Sequence, residues 1–165
     1  MDWDTYAEEM GPRLFRYFSA SFVRELADEC TQDTLLRVFQ AYRSGRFDSQ
    51  KGSINMWSFG IARNVRLEYS RQALKSSLRS SEFSEQLHGG KTPDVDARID
   101  CQHMRRAMWT LSDIEREIIS LLVDRDLSLA EISALVEVPI GTVKSHVHRA
   151  KEKFRELLKP KGASL

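Results

Sequence analysis

Residues 127–158, LSLAEISALVEVPIGTVKSHVHRAKEKFRELL, decide the fold. Ser128 followed by Glu131 is a capping box, in which the serine oxygen and the glutamate satisfy orphan N–H groups at a helix start. Leu129, Ile132, Leu135 and Val136 then repeat at helical spacing and form one apolar face. Glu137 and Val138 break that pattern, and Pro139 suits the first turn of a new helix, where its missing N–H costs nothing. In the second helix Val143, Val147, Ala150, Phe154 and Leu157 make a stripe to pack on the first. The other face carries Lys144, Ser145, His148 and Arg149, with His146 on its flank. Two short amphipathic helices joined by a tight turn are a helix-turn-helix, whose second helix lies in the DNA major groove.

Charge is distributed accordingly. Residues 139–161 hold seven Lys/Arg and two Glu, whereas residues 112–137 hold two Arg and seven Asp/Glu. The second helix is built to meet phosphate and the segment before it is not. Over all 165 residues the formal net charge is only +1, so segregation, not excess, is the signal, and it argues for partners of both signs. With 41% hydrophobic and 30% charged residues the chain reads as globular, of one domain or two small ones. No run approaches the ~18 apolar residues of a membrane span, and the acidic start MDWDTYAEEM is no signal sequence. Cys30 and Cys101 make no disulfide framework, so a reducing cytoplasm is expected. Few prolines, few glycines and little strand alternation make the fold class all-α.

Working outward, residues 3–20 predict a helix interrupted at Gly11-Pro12, with Trp3, Tyr6, Ala7 and Met10 on one side of the break and Leu14, Phe15 and Phe18 on the other. Residues 23–43 predict a helix burying Leu26, Cys30, Leu35, Val38, Phe39 and Tyr42. Its polar positions Glu25, Asp28, Glu29, Gln32, Asp33, Arg37 and Gln40 begin acidic, which does not suit nucleic acid. After the loop SGRFDSQKG (44–52), Ser53 is the N-cap of a helix to about Lys75 that buries Ile54, Trp57, Ile61, Val65 and Tyr69. Arg63, Asn64, Arg66, Arg71 and Lys75 fall on its exposed side, and residues 61–79 hold five Lys/Arg and one Glu. Residues 76–95, with five serines, Gly-Gly and Thr-Pro, read as a flexible linker. A helix resumes near Val95 with Ile99, Met104, Ala107, Met108 and Leu111 inside. A second capping box, Ser112 with Glu115, opens another helix with Ile114, Ile118, Leu121 and Leu122 inward. The expected organisation is two small helical domains, 1–75 and 96–165, joined by 76–95.

The segment PIGTVKSHVHRAKEKF resembles the PxGTVKSRLxRAR signature of region 4 of bacterial sigma factors, above all the small extracytoplasmic-function (ECF) class. LuxR-type regulators end in a similar motif, so the N-terminal half has to discriminate. There ELADECTQDTLLRVFQAY is similar to the DAEDLVQETFLRAW pattern of sigma region 2, and GRFDSQKGSINMWSFGIARNVRLEYSR is similar to RFDPxxGSFRAWLFRIARNLALDLLRR. Two motifs in that order across a polar linker identify the chain as a member of the ECF sigma factors. The resemblance implies a dissociable subunit of RNA polymerase, not an enzyme, that directs promoter-specific initiation by recognising −35 and melting −10 DNA. It implies core RNA polymerase, promoter DNA and an anti-sigma factor as partners, and no cofactor.

Residue by residue, it gives Gln32, Asp33, Leu35, Leu36, Arg37 and Gln40 to the helix that docks on the polymerase clamp. Asp33 stands where the family usually has Glu. The loop Phe47 to Ser53 with Asn55, Trp57, Arg63, Asn64, Arg66 and Arg71 falls to the part that opens the −10 element and holds a flipped base, chemistry that needs basic groups along a backbone and an aromatic with amides around a base. Thr142, Lys144, Ser145, His146, His148 and Arg149 fall to the −35 recognition helix. Departures are Glu137 for a small turn residue, His146 for a frequent Arg, and Ser58 and Gly60 for apolar and basic residues. Cys101-x-His103 and His146-x-His148 are too loosely spaced for a closed tetrahedral metal site, and no catalytic constellation is present. The other function considered is a stand-alone helix-turn-helix regulator, which has no need of the acidic helix at 25–40.

Overall fold

In the computed structural model, residues 1–77 and 104–157 are described, and all regular structure among them is helical. The chain forms two compact units, Met1–Gly90 and Lys91–Leu165. The linker 76–95 beyond Ser77, together with Val95, Ile99, Cys101 and His103, lies outside the described residues.

The first unit packs α1 (Trp3–Ser19), α2 (Arg24–Arg43) and α3 (Ile54–Ser77) on one another. Helix α1 is continuous, in contrast to the interruption expected at Gly11-Pro12. Proline removes one N–H and disfavours helical backbone at the residue before it, in part through that residue's Cβ. Here that residue is Gly11, which has none. Burial of Leu14, Tyr17 and Phe18 beyond the proline holds the second half of the helix in line. The Tyr17 ring meets Phe59 of α3 edge-on, with centroids 5.7 Å apart.

Helix α2 turns a different face inward from the one its large side chains suggest. Ala27, Cys30, Thr31, Thr34, Val38 and Ala41 are buried, while Leu26, Leu35, Phe39 and Tyr42 sit at the margins. Small residues let α1 and α3 approach closely. The two threonine hydroxyls are satisfied within the helix, by Ala27 O and Cys30 O at 2.7 Å each. Burial pushes the Cys30 thiol up to about 12, with Glu29 and Asp33 adding to it, so it serves as a small core residue. Helix α2 ends in a Schellman motif: Arg46 N–H donates to Ala41 O and Gly45 N–H to Tyr42 O, with Gly45 at φ +72°. Ser53 caps α3 as expected, its Oγ accepting from Met56 N–H at 3.1 Å. The buried positions of α3 are Ser58, Phe59, Ala62, Val65 and Ala73, which leaves Trp57, Ile61 and Tyr69 half-buried. Ser58 departs from an apolar pattern for a reason: its Oγ pairs with Tyr6 Oη of α1 at 2.6 Å in the core.

In the second unit the described part of α4 is residues 104–109, followed by α5 (Asp113–Leu122), α6 (Leu129–Val136) and α7 (Ile140–Leu157). Both capping boxes form, Ser112 with Glu115 and Ser128 with Glu131. Ala107, Leu111, Ile118, Ile119, Leu121, Leu127, Ile132, Val136, Val143, Val147 and Ala150 make the core. Arg116 ties α4 to α5: its Nε donates to Met108 O, its Nη2 to Leu111 O, and its guanidinium lies 4.2 Å from the Trp109 ring centroid. No helix among the described residues is long and apolar enough to cross a membrane.

Candidate nucleic-acid interface

The turn between α6 and α7 sets the direction of α7. Glu137 adopts the left-handed conformation (φ 58°, ψ 38°) and its N–H bonds Ser133 O. Val138 N–H also reaches Ser133 O, and Ser133 Oγ donates to Val138 O at 2.6 Å. One serine therefore pins both sides of the turn. Helix α7 begins one residue after Pro139, whose carbonyl takes Val143 N–H. Val143, Val147 and Ala150 are buried against the rest of the unit, and Thr142, Lys144, Ser145, His148 and Arg149 are exposed. Ser145 Oγ folds back on Gly141 O at 3.0 Å.

His146 and Arg149 are engaged on the inner flank. The His146 side chain is only 15% exposed. Arg149 Nη2 lies 2.9 Å from His146 Nδ1, and since arginine can only donate, Nδ1 accepts. Beneath both is Glu115, itself 4% exposed. Its carboxylate takes Lys153 Nζ at 2.8 Å and Ser112 N–H at 3.0 Å, with Arg149 Nε at 3.5 Å. Burial alone raises a carboxyl pKa, but the Lys153 and Ser112 hydrogen bonds outweigh it and hold Glu115 at about 2. The capping box gave Glu115 its place at a helix start. Its second role, as the counter-charge under α7, had no local signal.

In the first unit, α3 has two unlike sides. Toward α1, Arg66 Nε donates to Tyr17 Oη at 3.2 Å and Arg13 lies over Phe59. Toward α2, Glu68 takes Arg37 and Tyr69 Oη donates to Glu29 Oε1. Asn64 and Arg71 are exposed, whereas Asn55, Trp57, Arg63 and Arg66 are partly covered. Phe47 brings the loop after α2 onto the start of α3, its ring 5.2 Å from Trp57 and 6.0 Å from Tyr42.

Along α2, Gln32, Leu36 and Gln40 are exposed on one line, and Leu36 is 54% exposed, unusual for a leucine amid polar neighbours. Asp33 and Arg37 flank that line and are joined by two hydrogen bonds of 2.9 Å, and Arg37 also reaches Glu68. Leu35 is half-buried.

The Sigma-70, region 4 family matches residues 102–154, the segment that holds α5, α6 and most of α7. The ECF RNA polymerase sigma factor SigL of Mycobacterium tuberculosis is 30% identical over 139 residues, covering 84% of this chain and 77% of that protein. This chain belongs to the ECF RNA polymerase sigma factors. RpoE of Cereibacter sphaeroides, of the same family, is 26% identical over 134 residues, covering 81% and 73% of the two chains. The solved sigma factor RpoE of Bartonella quintana, in complex with the anti-sigma factor NepR, matches 97% of this chain at 27% identity with a TM-score of 0.81. The family and the all-helical fold read from the sequence are thus those found, and this ECF sigma factor directs transcription initiation. Its region 4 contains both the exposed positions of α7 and the buried carboxylate beneath them.

Proposed function

We propose that this sigma factor divides promoter recognition between its two units, 1–75 acting on core polymerase and the −10 element and 96–165 on the −35 duplex, across the linker 76–95. The observation that carries this reading is the exposed row Thr142, Lys144, Ser145 and His148 opposite the buried Val143, Val147 and Ala150 on the second helix of a helix-turn-helix. Lys144 holds phosphate and fixes register, which carries no sequence information by itself, and Arg149 and His148 reach base edges. In the first unit, Asn64 and Arg71 with Arg63 and Arg66 track the single strand, and the Phe47–Trp57 pair with Asn55 offers the base platform. Leu36, with Gln32, Asp33 and Gln40 around it, docks on core polymerase. The polymerase supplies the chemistry and the sigma factor none. The Bartonella quintana relative is seen with an anti-sigma factor, which supports an anti-sigma factor as the regulator here.

In vitro transcription with reconstituted holoenzyme tests the division. Lys144→Ala should lower initiation at promoters that depend on the −35 element and leave a pre-melted −10 template unaffected. Asn64→Ala should impair opening of duplex promoters and leave −35 binding intact. Failure of Lys144→Ala on the pre-melted template would break the assignment.

A further inference from the structure

The carboxylate under α7 is buried, ionised and surrounded by the helix's own cations, an arrangement a helix cap alone does not need. A Ser at the N-cap and any N3 Glu or Gln complete a capping box. Glu115 does more: Oε2 serves Ser112 N–H and Lys153, which leaves Oε1 for Arg149 Nε at 3.5 Å, while His146 accepts from Arg149 Nη2. The guanidinium is thus ion-paired at Nε and hydrogen-bonded at Nη2, yet the Arg149 side chain remains 57% exposed. Lys144 and His148, also exposed, have no such support among the described residues.

We propose that Glu115 is a positioning residue for promoter reading: from beneath α7 its carboxylate, acting beside the His146 ring, fixes the Arg149 guanidinium in one orientation on the exposed face. The inference rests on α7 being the helix that reads the −35 duplex. Base readout by arginine requires two N–H groups of a planar fork to meet guanine O6 and N7 together. A fork free to rotate loses that fit and still attracts phosphate. Glu115 therefore contributes to discrimination among sequences and not to affinity for DNA in general. A carboxylate that simply neutralised α7 would weaken binding to every sequence alike.

The test uses holoenzyme reconstituted with the full chain and a promoter library randomised across the −35 element, with an unrelated duplex as reference. Glu115→Gln keeps the cap acceptor but loses the charge, and sets an N–H₂ against Arg149 or Lys153. Discrimination between preferred and average −35 sequences should fall about tenfold, with affinity for the unrelated duplex unchanged or higher. Arg149→Lys keeps the charge of α7 and leaves Glu115 its cap and Lys153, so it folds independently of any loss in Glu115→Gln. It should flatten the ranking to the same extent, and the double variant should be no worse than either single one. A wild-type ranking in Glu115→Gln, a parallel loss on all sequences, or a full additional loss in the Arg149→Lys background each overturns the positioning role. If Lys144→Ala leaves initiation at −35-dependent promoters unchanged and Arg149→Lys leaves the ranking intact, the assignment of α7 to the −35 element fails first. If Arg149→Lys alters it and Glu115→Gln does not, only the role of Glu115 fails.

Discussion

Glu137 is the one described residue other than glycine with positive φ. Left-handed backbone costs an L-residue ~1–2 kcal/mol, because Cβ crowds the following carbonyl. Glycine at the end of α6 would remove that strain, less the ~0.5–1 kcal/mol of extra chain entropy it brings to the unfolded state. Glu137→Gly should therefore raise stability by ~0.5–1 kcal/mol, read as a higher urea midpoint at unchanged slope. Glu137→Ala keeps a Cβ and should move the midpoint far less. Equal gains from Ala and Gly would mean that the carboxylate, not the backbone, carries the cost. Glutamate at this place keeps an acidic group at the entry to the recognition helix, two residues before Pro139.

At the scale of the element, α2 separates an edge of paired charges from an exposed line proposed to dock on core polymerase. Arg37 joins Asp33 on its own helix to Glu68 on α3, and the Glu68 hydrogen bond, then that of Asp33, raises the Arg37 pKa further above its ordinary value. All three side chains are at least a quarter exposed, so solvent screens the network. Arg37→Ala should accordingly cost ~1 kcal/mol or less in thermal or urea unfolding. Leu36→Asp touches no partner in the core and should leave stability within ~0.5 kcal/mol, yet abolish association with core polymerase in a pull-down titration. The reverse pattern would exchange the two roles. Asp33 is a poor single probe of docking, since changing it also releases Arg37. These two sides were only partly legible in the sequence. The helix, its polar residues and the N-cap of α3 follow from local chemistry. The buried face of α2 does so only at Cys30 and Val38, because alanine and threonine carry too little hydrophobicity to outvote Leu26, Phe39 and Tyr42, and only close approach of two other helices selects them. In α3 the burial of Ser58 depends on Tyr6, 52 positions away. In α7 the stripe was readable from Val143 to Ala150, but the turning of His146 and Arg149 toward Glu115 rests on a partner in another helix.

At the scale of the whole molecule, the two units should respond differently to acid. In the second unit Glu115 has its pKa held at about 2, below the ordinary carboxylate value of 4.5. A depressed folded-state pKa contributes stability that is fully present above the unfolded pKa and is lost as pH falls through the folded one. The window is therefore from about pH 4.5 down to about 2, and the stability at stake is on the order of 3 kcal/mol. In the first unit Glu68 is also held low, by Arg37 first and despite some burial, but its side chain is 43% exposed and its contribution is correspondingly screened. Acid should thus loosen the second unit first. Trp109, stacked under Arg116 on α4, reports that unit, and Trp3 and Trp57 report the other. With Trp3 and Trp57 changed to Phe, the Trp109 fluorescence midpoint in urea should fall steeply as pH drops from 5 to about 2.5, the range over which Glu115 is protonated in the unfolded chain and still ionised in the folded one. With Trp109 changed to Phe, the remaining signal should fall less over the same range. Adding Glu115→Gln should flatten the pH dependence of the Trp109 midpoint while lowering it at pH 7. A Trp109 midpoint that keeps its full pH dependence without Glu115 would assign the acid sensitivity to other carboxylates of the second unit.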